Sequence, residues 1–264
     1  MKNYFLIIFV AISISACNKT EPVQETKSEY EHLLMSTVWF QQSAEMKALY
    51  HQCYNWATVM LDKYLENIDT TKKACVIVDI DETVLDNSPF EAKCIETGKG
   101  YSSETWKEWT DQAKAKALPG ALEFLNYAKE KGVETIYISN RKLNELEKTR
   151  KNLSDLGFPF IDDAHMLFKD SVNSKKDRRI AIGKEYQILL LIGDQLTDFT
   201  EIFEKRDSTL GFDLVEQYKN EFGDRFILLP NPMYGEWEGA IYGNDFKISD
   251  ALKAEKRRKI LKSF

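Results

Sequence analysis

The chain is 264 residues long and carries 36 basic against 42 acidic side chains, a formal net charge of −6. That balance lacks the basic surplus that neutralises a polyanion, which argues against a nucleic-acid polymer as partner. The length and a 43% hydrophobic share fit one α/β domain with an insertion, large enough to bury a sizeable core.

At the N-terminus, Lys2 precedes an apolar run from Tyr4 to Ile14 that is too short to span a bilayer as a stable anchor. Ile14-Ser15-Ala16-Cys17 then resembles a bacterial lipobox, the signal for cleavage before a cysteine that becomes lipidated. The expectation is a lipoprotein signal peptide over residues 1–16 and a lipid anchor on Cys17. Each acyl chain contributes about 0.8 kcal/mol per buried methylene, so a multiply acylated cysteine anchors stably. Residues 17–29 follow as a lipidated, flexible tether, polar and without an apolar period.

From Tyr30 to Ile68, apolar residues recur at helical spacing (among them Leu34, Val38, Leu49, Cys53, Trp56, Met60 and Leu61), which predicts one long helix or two consecutive ones. Apolar strands are expected near 74–80, 133–139, 188–193 and 225–229, and helices near 121–131, 143–156 and 175–186. Such alternation implies a parallel sheet flanked by helices. Between 88 and 118 the strand pattern stops, and Trp106 and Trp109 stand among charged residues. The basic tail, 245–264, reads as a solvated surface helix. Cys53, Cys75 and Cys94 read as buried free thiols, since no spacing fits zinc.

Residues 76–86, Val-Ile-Val-Asp-Ile-Asp-Glu-Thr-Val-Leu-Asp, are an apolar strand ending in two aspartates one residue apart. Alternate side chains share a face of a strand, so Asp79 and Asp81 should leave the sheet edge side by side. Two carboxylates that close repel unless a cation or proton intervenes, and open parallel sheets bind ligands at this edge. A hard divalent ion suits the pattern. The bland alternative is an acidic turn.

Three later segments add to this one. Asp-Ile-Asp-Glu-Thr at 79–83, Ile-Tyr-Ile-Ser-Asn-Arg at 136–141 and Leu-Leu-Leu-Ile-Gly-Asp-Gln-Leu-Thr-Asp-Phe at 189–199 resemble the first, second and fourth motifs of the haloacid dehalogenase (HAD) superfamily of phosphohydrolases. Asn87, Gly-Asp-Gln-Leu-x-Asp-Phe and Asn-Pro-Met-Tyr-Gly-x-Trp-Glu at 231–238 narrow the resemblance to the class C bacterial acid phosphatases, a family typified by an outer-membrane lipoprotein. It covers the chain from about residue 30 to the C-terminus. The fold it implies is a HAD-like (Rossmannoid) parallel sheet flanked by helices, with a small helical cap at about 88–118 and an N-terminal helical extension, all within 30–264.

The resemblance implies that Asp79 is a nucleophile forming an aspartyl-phosphate and that Asp81 is the acid, then the base. It implies a Mg²⁺ ion on Asp79, Asp194 and the backbone carbonyl of Asp81, with Asp198 behind them. Asp198 has capping as its bland alternative. Ser139 and Asn140 would bind phosphate, and Arg141 is either part of the site or a surface charge. The third-motif lysine is best assigned to Lys175, with Lys169 and Lys176 as alternatives. Trp106 and Tyr234 match positions that hold a nucleoside or nicotinamide ring, against a plain role in packing cap on core. Trp109 and Trp237 read as packing residues.

The function this implies is a Mg²⁺-dependent acid phosphatase at the bacterial outer membrane, cell surface or periplasm. Its substrates would be nucleoside monophosphates, nicotinamide mononucleotide and other small phosphomonoesters. A homodimer is one arrangement to test. Alternatives are a phosphotransferase or phosphomutase on the same site, a surface lipoprotein that captures haem or nucleotides, or a storage protein of the plant type, which lacks the nucleophile. The intact Asp79 argues against the last.

Overall fold

A computed structural model describes residues 30–206 and 208–264; the signal peptide, tether and Cys17 expected from the sequence lie outside them. After a 3-10 turn, the N-terminal extension forms two helices, α1 (Leu34–Gln42) and α2 (Ala44–Leu65). The break falls at Ser43, which turns extended and caps α2 by accepting from Met46 N at 3.0 Å.

The central sheet begins with β1 (Lys73–Val78). Short strands β2 (Leu85–Asp86) and β3 (Lys116–Ala117) pair antiparallel and bracket the cap helices α3 (Ser88–Thr97) and α4 (Ser103–Thr110). The chain continues through α5 (Ala121–Glu130), β4 (Glu134–Lys142), α6 (Leu146–Leu156), β5 (Met166–Lys169), α7 (Lys176–Glu185) and β6 (Tyr186–Gly193). It ends with α8 (Phe212–Gln217), β7 (Phe226–Leu228), α9 (Glu236–Tyr242) and α10 (Asp250–Lys259). The five-stranded sheet has the order β5-β4-β1-β6-β7, with every pairing parallel. Among the described residues, no helix is long and apolar enough to cross a membrane.

β1 is buried on both faces, as the middle strand of a covered parallel sheet must be. Val76 and Val78 join Tyr50, Tyr54, Leu125 and Phe124 in the larger core under α2 and α5, whereas Cys75 and Ile77 pack with Ile136, Ile138 and Ile182 on the α7 side. The three described cysteines are free; Cys75 and Cys94 are buried, and Cys53 is half-buried. The sequence reading missed β5, an edge strand of four residues, and the helices α8 and α9. The chain adds β4 and β5 on one side of β1 and β6 and β7 on the other, so a crevice opens at the carboxyl ends beside β1, where the strand order reverses.

The helical extension is part of that site's support. Tyr50 and Tyr54, both buried in α2, donate hydroxyl bonds to the carbonyls of Glu82 at 2.5 Å and Thr83 at 2.7 Å, in the turn after β1. Each ring buries a large apolar area while its hydroxyl satisfies a carbonyl that the turn leaves unpaired.

Candidate active site

Three segments bring carboxylates to the sheet edge. Asp79 stays in register with β6, its N–H donating to Ile192 O at 3.0 Å. Asp194 follows Gly193, the last residue of β6, and Asp198 closes the short 3-10 turn after it. Ligand oxygens of Asp79, Asp194 and Asp198, all buried, lie within 4.8 Å of one another. Gly193 is required here, because a Cβ on it would overlap the Asp198 carboxylate.

Lys175 sits among these acids. Its Nζ donates to Asp79 Oδ1 and, at 2.6 Å, to Asp198 Oδ1. Of the three lysines considered from the sequence, only Lys175 reaches the site. Lys169 bonds Asn173 and Lys176 pairs with Glu201, both away from the trio.

One ammonium among three carboxylates leaves an excess of negative charge. Burial pushes the Asp79 carboxyl up to about 7, against the pull of Lys175 and with the push of Asp198 and Asp81. Burial, then Asp198 and Asp79, raise Asp194 well above the carboxylate range. Burial alone would lower Lys175, but Asp198 and Asp79 more than offset it and hold the ammonium charged. Gln195 Nε2 and Asn231 Nδ2 both donate to Asp194 Oδ2, at 2.7 and 2.8 Å, which leaves Oδ1 for another ligand. Hard oxygen donors with surplus negative charge fit a divalent cation such as Mg²⁺.

The Asp81 carboxylate lies outside this trio, which is compatible with the expectation that its backbone carbonyl faces the ion. It turns toward Arg141, whose Nε donates to Asp81 Oδ1 at 2.9 Å, and toward Asn87 Nδ2, also at 2.9 Å. Arg141 is 3% exposed, so its reading as a surface charge is overturned. Asn87 is itself held by Trp109 Nε1 at 2.8 Å and Arg141 Nη2 at 3.1 Å. Trp109 thus does more than pack. Trp237, also read as packing, is 40% exposed and bonds the Tyr234 carbonyl.

Ser139, Asn140 and Arg141 lie within the end of β4, which runs three residues further than expected. Ser139 is fully buried, and its Oγ accepts from Arg141 N at 3.1 Å. Arg178, which the sequence reading did not single out, fixes this strand end: its guanidinium donates to Ser139 O at 2.7 Å and Asn140 Oδ1 at 2.6 Å. Glu82 was missed too. It is fully buried with φ of 50°, and it accepts from Asn87 N at 2.7 Å and from the Tyr234 hydroxyl. Left-handed backbone costs a non-glycine residue about 1 kcal/mol, so these bonds must hold it. Burial, then Asp81 and Asp194, push the Glu82 carboxyl well up.

A cavity of about 680 Å³ opens over the trio. Trp106 and Tyr234 both line it, as do Asp79, Asp81, Asn140, Arg141, Lys175, Asp194 and Asp198. Trp106 is wedged edge-on against Phe90 at 5.0 Å, with the Arg141 guanidinium 5.6 Å from its ring centre. Gly235 follows Tyr234 at φ of 148°, where a Cβ would overlap Gln195.

Comparisons with known proteins match the fold and the family. The class C acid phosphatase of Bacillus anthracis is 44% identical and superposes with a TM-score of 0.85 over 90% of this chain and 99% of that one. The same enzyme has been solved with tungstate bound, at 44% identity and a TM-score of 0.84, over 89% of this chain and 98% of that one. A stem 31 kDa glycoprotein of Glycine max is 28% identical over 60% of this chain and 58% of its own length. Acid phosphatase 1 of Solanum lycopersicum is 25% identical over 60% and 57%. The chain thus spans less than two thirds of the length of these curated plant relatives. A model of the HAD superfamily, subfamily IIIB (acid phosphatase), matches residues 10–237, and the chain belongs to that family.

Proposed function

We propose that this protein is a Mg²⁺-dependent acid phosphatase that hydrolyses nucleoside monophosphates and other small phosphomonoesters through an aspartyl-phosphate on Asp79. The observation that carries this reading is the buried Asp79 carboxylate, bonded to Lys175 and grouped with Asp194 and Asp198, while Asp81 is held separately by Arg141. The tungstate bound in the Bacillus anthracis enzyme supports an oxyanion site in this fold.

In the first step an Asp79 oxygen attacks phosphorus, the bond from phosphorus to the leaving oxygen breaks, and Asp81 gives its proton to that oxygen. Water then attacks the aspartyl-phosphate, Asp81 takes the water's proton, and the bond to Asp79 breaks to release inorganic phosphate. Lys175 and the Ser139–Asn140 strand end meet the phosphoryl oxygens with positive charge and hydrogen bonds. Asp79, Asp194 and the backbone carbonyl of Asp81 would hold Mg²⁺, which when bound would supply charge neutralisation on the transferring group. A nucleobase or nicotinamide ring lies between Trp106 and Tyr234, which favours aromatic monophosphates.

In our reading, Cys17 carries the lipid anchor, and the enzyme faces the periplasm or the cell exterior from the outer membrane. Cys17→Ser should release the protein from the membrane fraction, and wild-type protein that is soluble without detergent, with Cys17 unmodified, would refute the anchor. The chemistry is tested with Asp79→Asn, which should lose nearly all turnover while the melting curve is kept. Retention of more than about a tenth of the wild-type rate would rule out the covalent path, since losing the nucleophile should cost several kcal/mol at about 1.4 per decade.

A further inference from the structure

The cavity is also lined by residues that the phosphoryl chemistry does not use. Among them are Phe90 and Glu91 of α3, and Glu238, Tyr242 and Phe246 of α9 and the turn after it. Glu91 is 8% exposed, lines the cavity, and has no hydrogen-bond or ion-pair partner among the described residues. A largely buried carboxyl with no protein partner, on the lining of a cavity, is open to a ligand there.

The charged group that acts on Glu91 has the same sign. Burial, then Glu238, push its carboxyl up to about 7. Of the two bases that line this part of the cavity, one pairs with Glu238 itself and the other with Asp250, which leaves Glu91 as the carboxyl without a partner. Arg257 Nη1 lies 3.4 Å from Glu238 Oε1 and 2.5 Å from the Tyr242 hydroxyl, and Lys253 pairs with Asp250 at 3.1 Å. Around the carboxyls stand aromatic rings, with Phe90 edge-on to Trp106 and Tyr242 edge-on to Phe246 at 5.9 Å.

A metal ion is a poor occupant. Among the described residues, the one group of three or more acidic, histidine or cysteine ligands able to hold an ion is Asp79, Asp194 and Asp198. An unpaired carboxyl among aromatic rings matches an organic cation better, because ring faces attract a desolvated ammonium that a carboxylate then pairs. We propose that Glu91, with Glu238 and the rings of Phe90, Tyr242 and Phe246, forms a subsite that takes an alkylammonium group on the leaving alcohol of the phosphomonoester. This rests on the reading above, in which the phosphoryl end sits at Asp79, and adds the chemical class of the leaving group.

The test uses the full-length protein and three substrates: phosphocholine, its uncharged carbon isostere 3,3-dimethylbutyl phosphate, and p-nitrophenyl phosphate as reference. The wild-type kcat/KM for phosphocholine should exceed that for the isostere by about tenfold, carried mainly by KM, since the cation binds far from phosphorus. Glu91→Gln keeps the shape and removes the charge, and should bring the ratio toward one. Glu238→Gln should lower the ratio in the same direction and serves if Glu91→Gln melts early. A wild-type ratio near one, with p-nitrophenyl phosphate turned over, overturns the subsite alone. A ratio unaltered in both variants overturns it as well. No turnover of any of the three substrates overturns the phosphatase reading and the subsite together.

Discussion

Arg141 holds Asp81. Its Nε and Nη2 lie 2.9 and 2.8 Å from the same oxygen, Asp81 Oδ1, and its Nη1 is braced by Thr149 Oγ1 at 2.9 Å. With Asn87 on that oxygen too, Asp81 presents Oδ2 for proton transfer in one fixed orientation. A general acid works only when its proton points at the leaving oxygen, and small misplacements cost large factors. Arg141→Met should therefore lower kcat by about 10- to 100-fold with a smaller effect on KM, and Arg141→Lys should recover part of it. A rise in KM alone would show that Arg141 serves binding and does not orient Asp81.

Lys175 shields the trio, and its side chain is 7% exposed. Removing one partner of a buried, hydrogen-bonded charge cluster typically costs about 3–5 kcal/mol, because the remaining charges stay buried. Lys175→Met should lower stability by about that much in EDTA, and saturating Mg²⁺ should restore more of the loss than the same ion adds to wild type. A variant that melts like wild type in EDTA would mean that the ammonium does not neutralise these acids.

Metal removal tests the same cluster from the other side. EDTA should abolish turnover and added Mg²⁺ should restore it, because Asp79, Asp194 and Asp198 crowd where a phosphate dianion must also fit. Full activity in protein shown to be metal-free by elemental analysis would refute the requirement.

Acid stability should depend on Glu134, at the amino end of β4. Burial works against its charged form, but hydrogen bonds from Lys73, His165 and Tyr186 win and hold the carboxyl down to about 2. A folded value below the ordinary 4.5 means that the unfolded chain binds more protons between those limits. The stabilisation is then complete above about pH 4.5 and is lost as pH falls toward 2. Glu134→Gln should flatten the stability profile in that window, as followed by chemical denaturation. An unchanged acid limb would show that this network carries no linkage.

How much of this was readable in the chain follows from where the signal resides. The strands β1, β4 and β6 announce themselves as apolar runs ending in Asp79, Ser139 and Asp194, because buried parallel strands read as continuous hydrophobic segments. Edge strand β5 has four residues of alternating burial before a polar loop, too few to show a period. Lys175 could be ranked over its neighbours but not separated, since a lysine's reach depends on the turn that launches it. Arg178, Glu82 and Asn231 act through single contacts with residues far away in sequence, and nothing local marks such contacts. The orientation of Asp81 was hidden for the same reason, since it is set by Arg141, 60 residues on.

Tyr234 is tied to the loop after β1 through its hydroxyl bond to the buried Glu82, while Trp106 is held by Phe90 and the Arg141 guanidinium. The two rings thus reach the same cavity from different supports, the core and the cap. If they flank a substrate ring, Ala at either position should raise KM for a nucleoside monophosphate much more than for glycerol phosphate. Stacking worth about 1–3 kcal/mol acts equally on ground and transition states, so its loss appears as weaker uniform binding with kcat nearly kept. Tyr234→Phe separates the ring from its anchor. It keeps the face for stacking and frees Glu82, so KM should change less than in Tyr234→Ala while the melting temperature falls, because a buried carboxyl loses a partner. Equal losses on both substrates in Trp106→Ala and Tyr234→Ala, in step with their melting curves, would show that the rings only fasten cap to core.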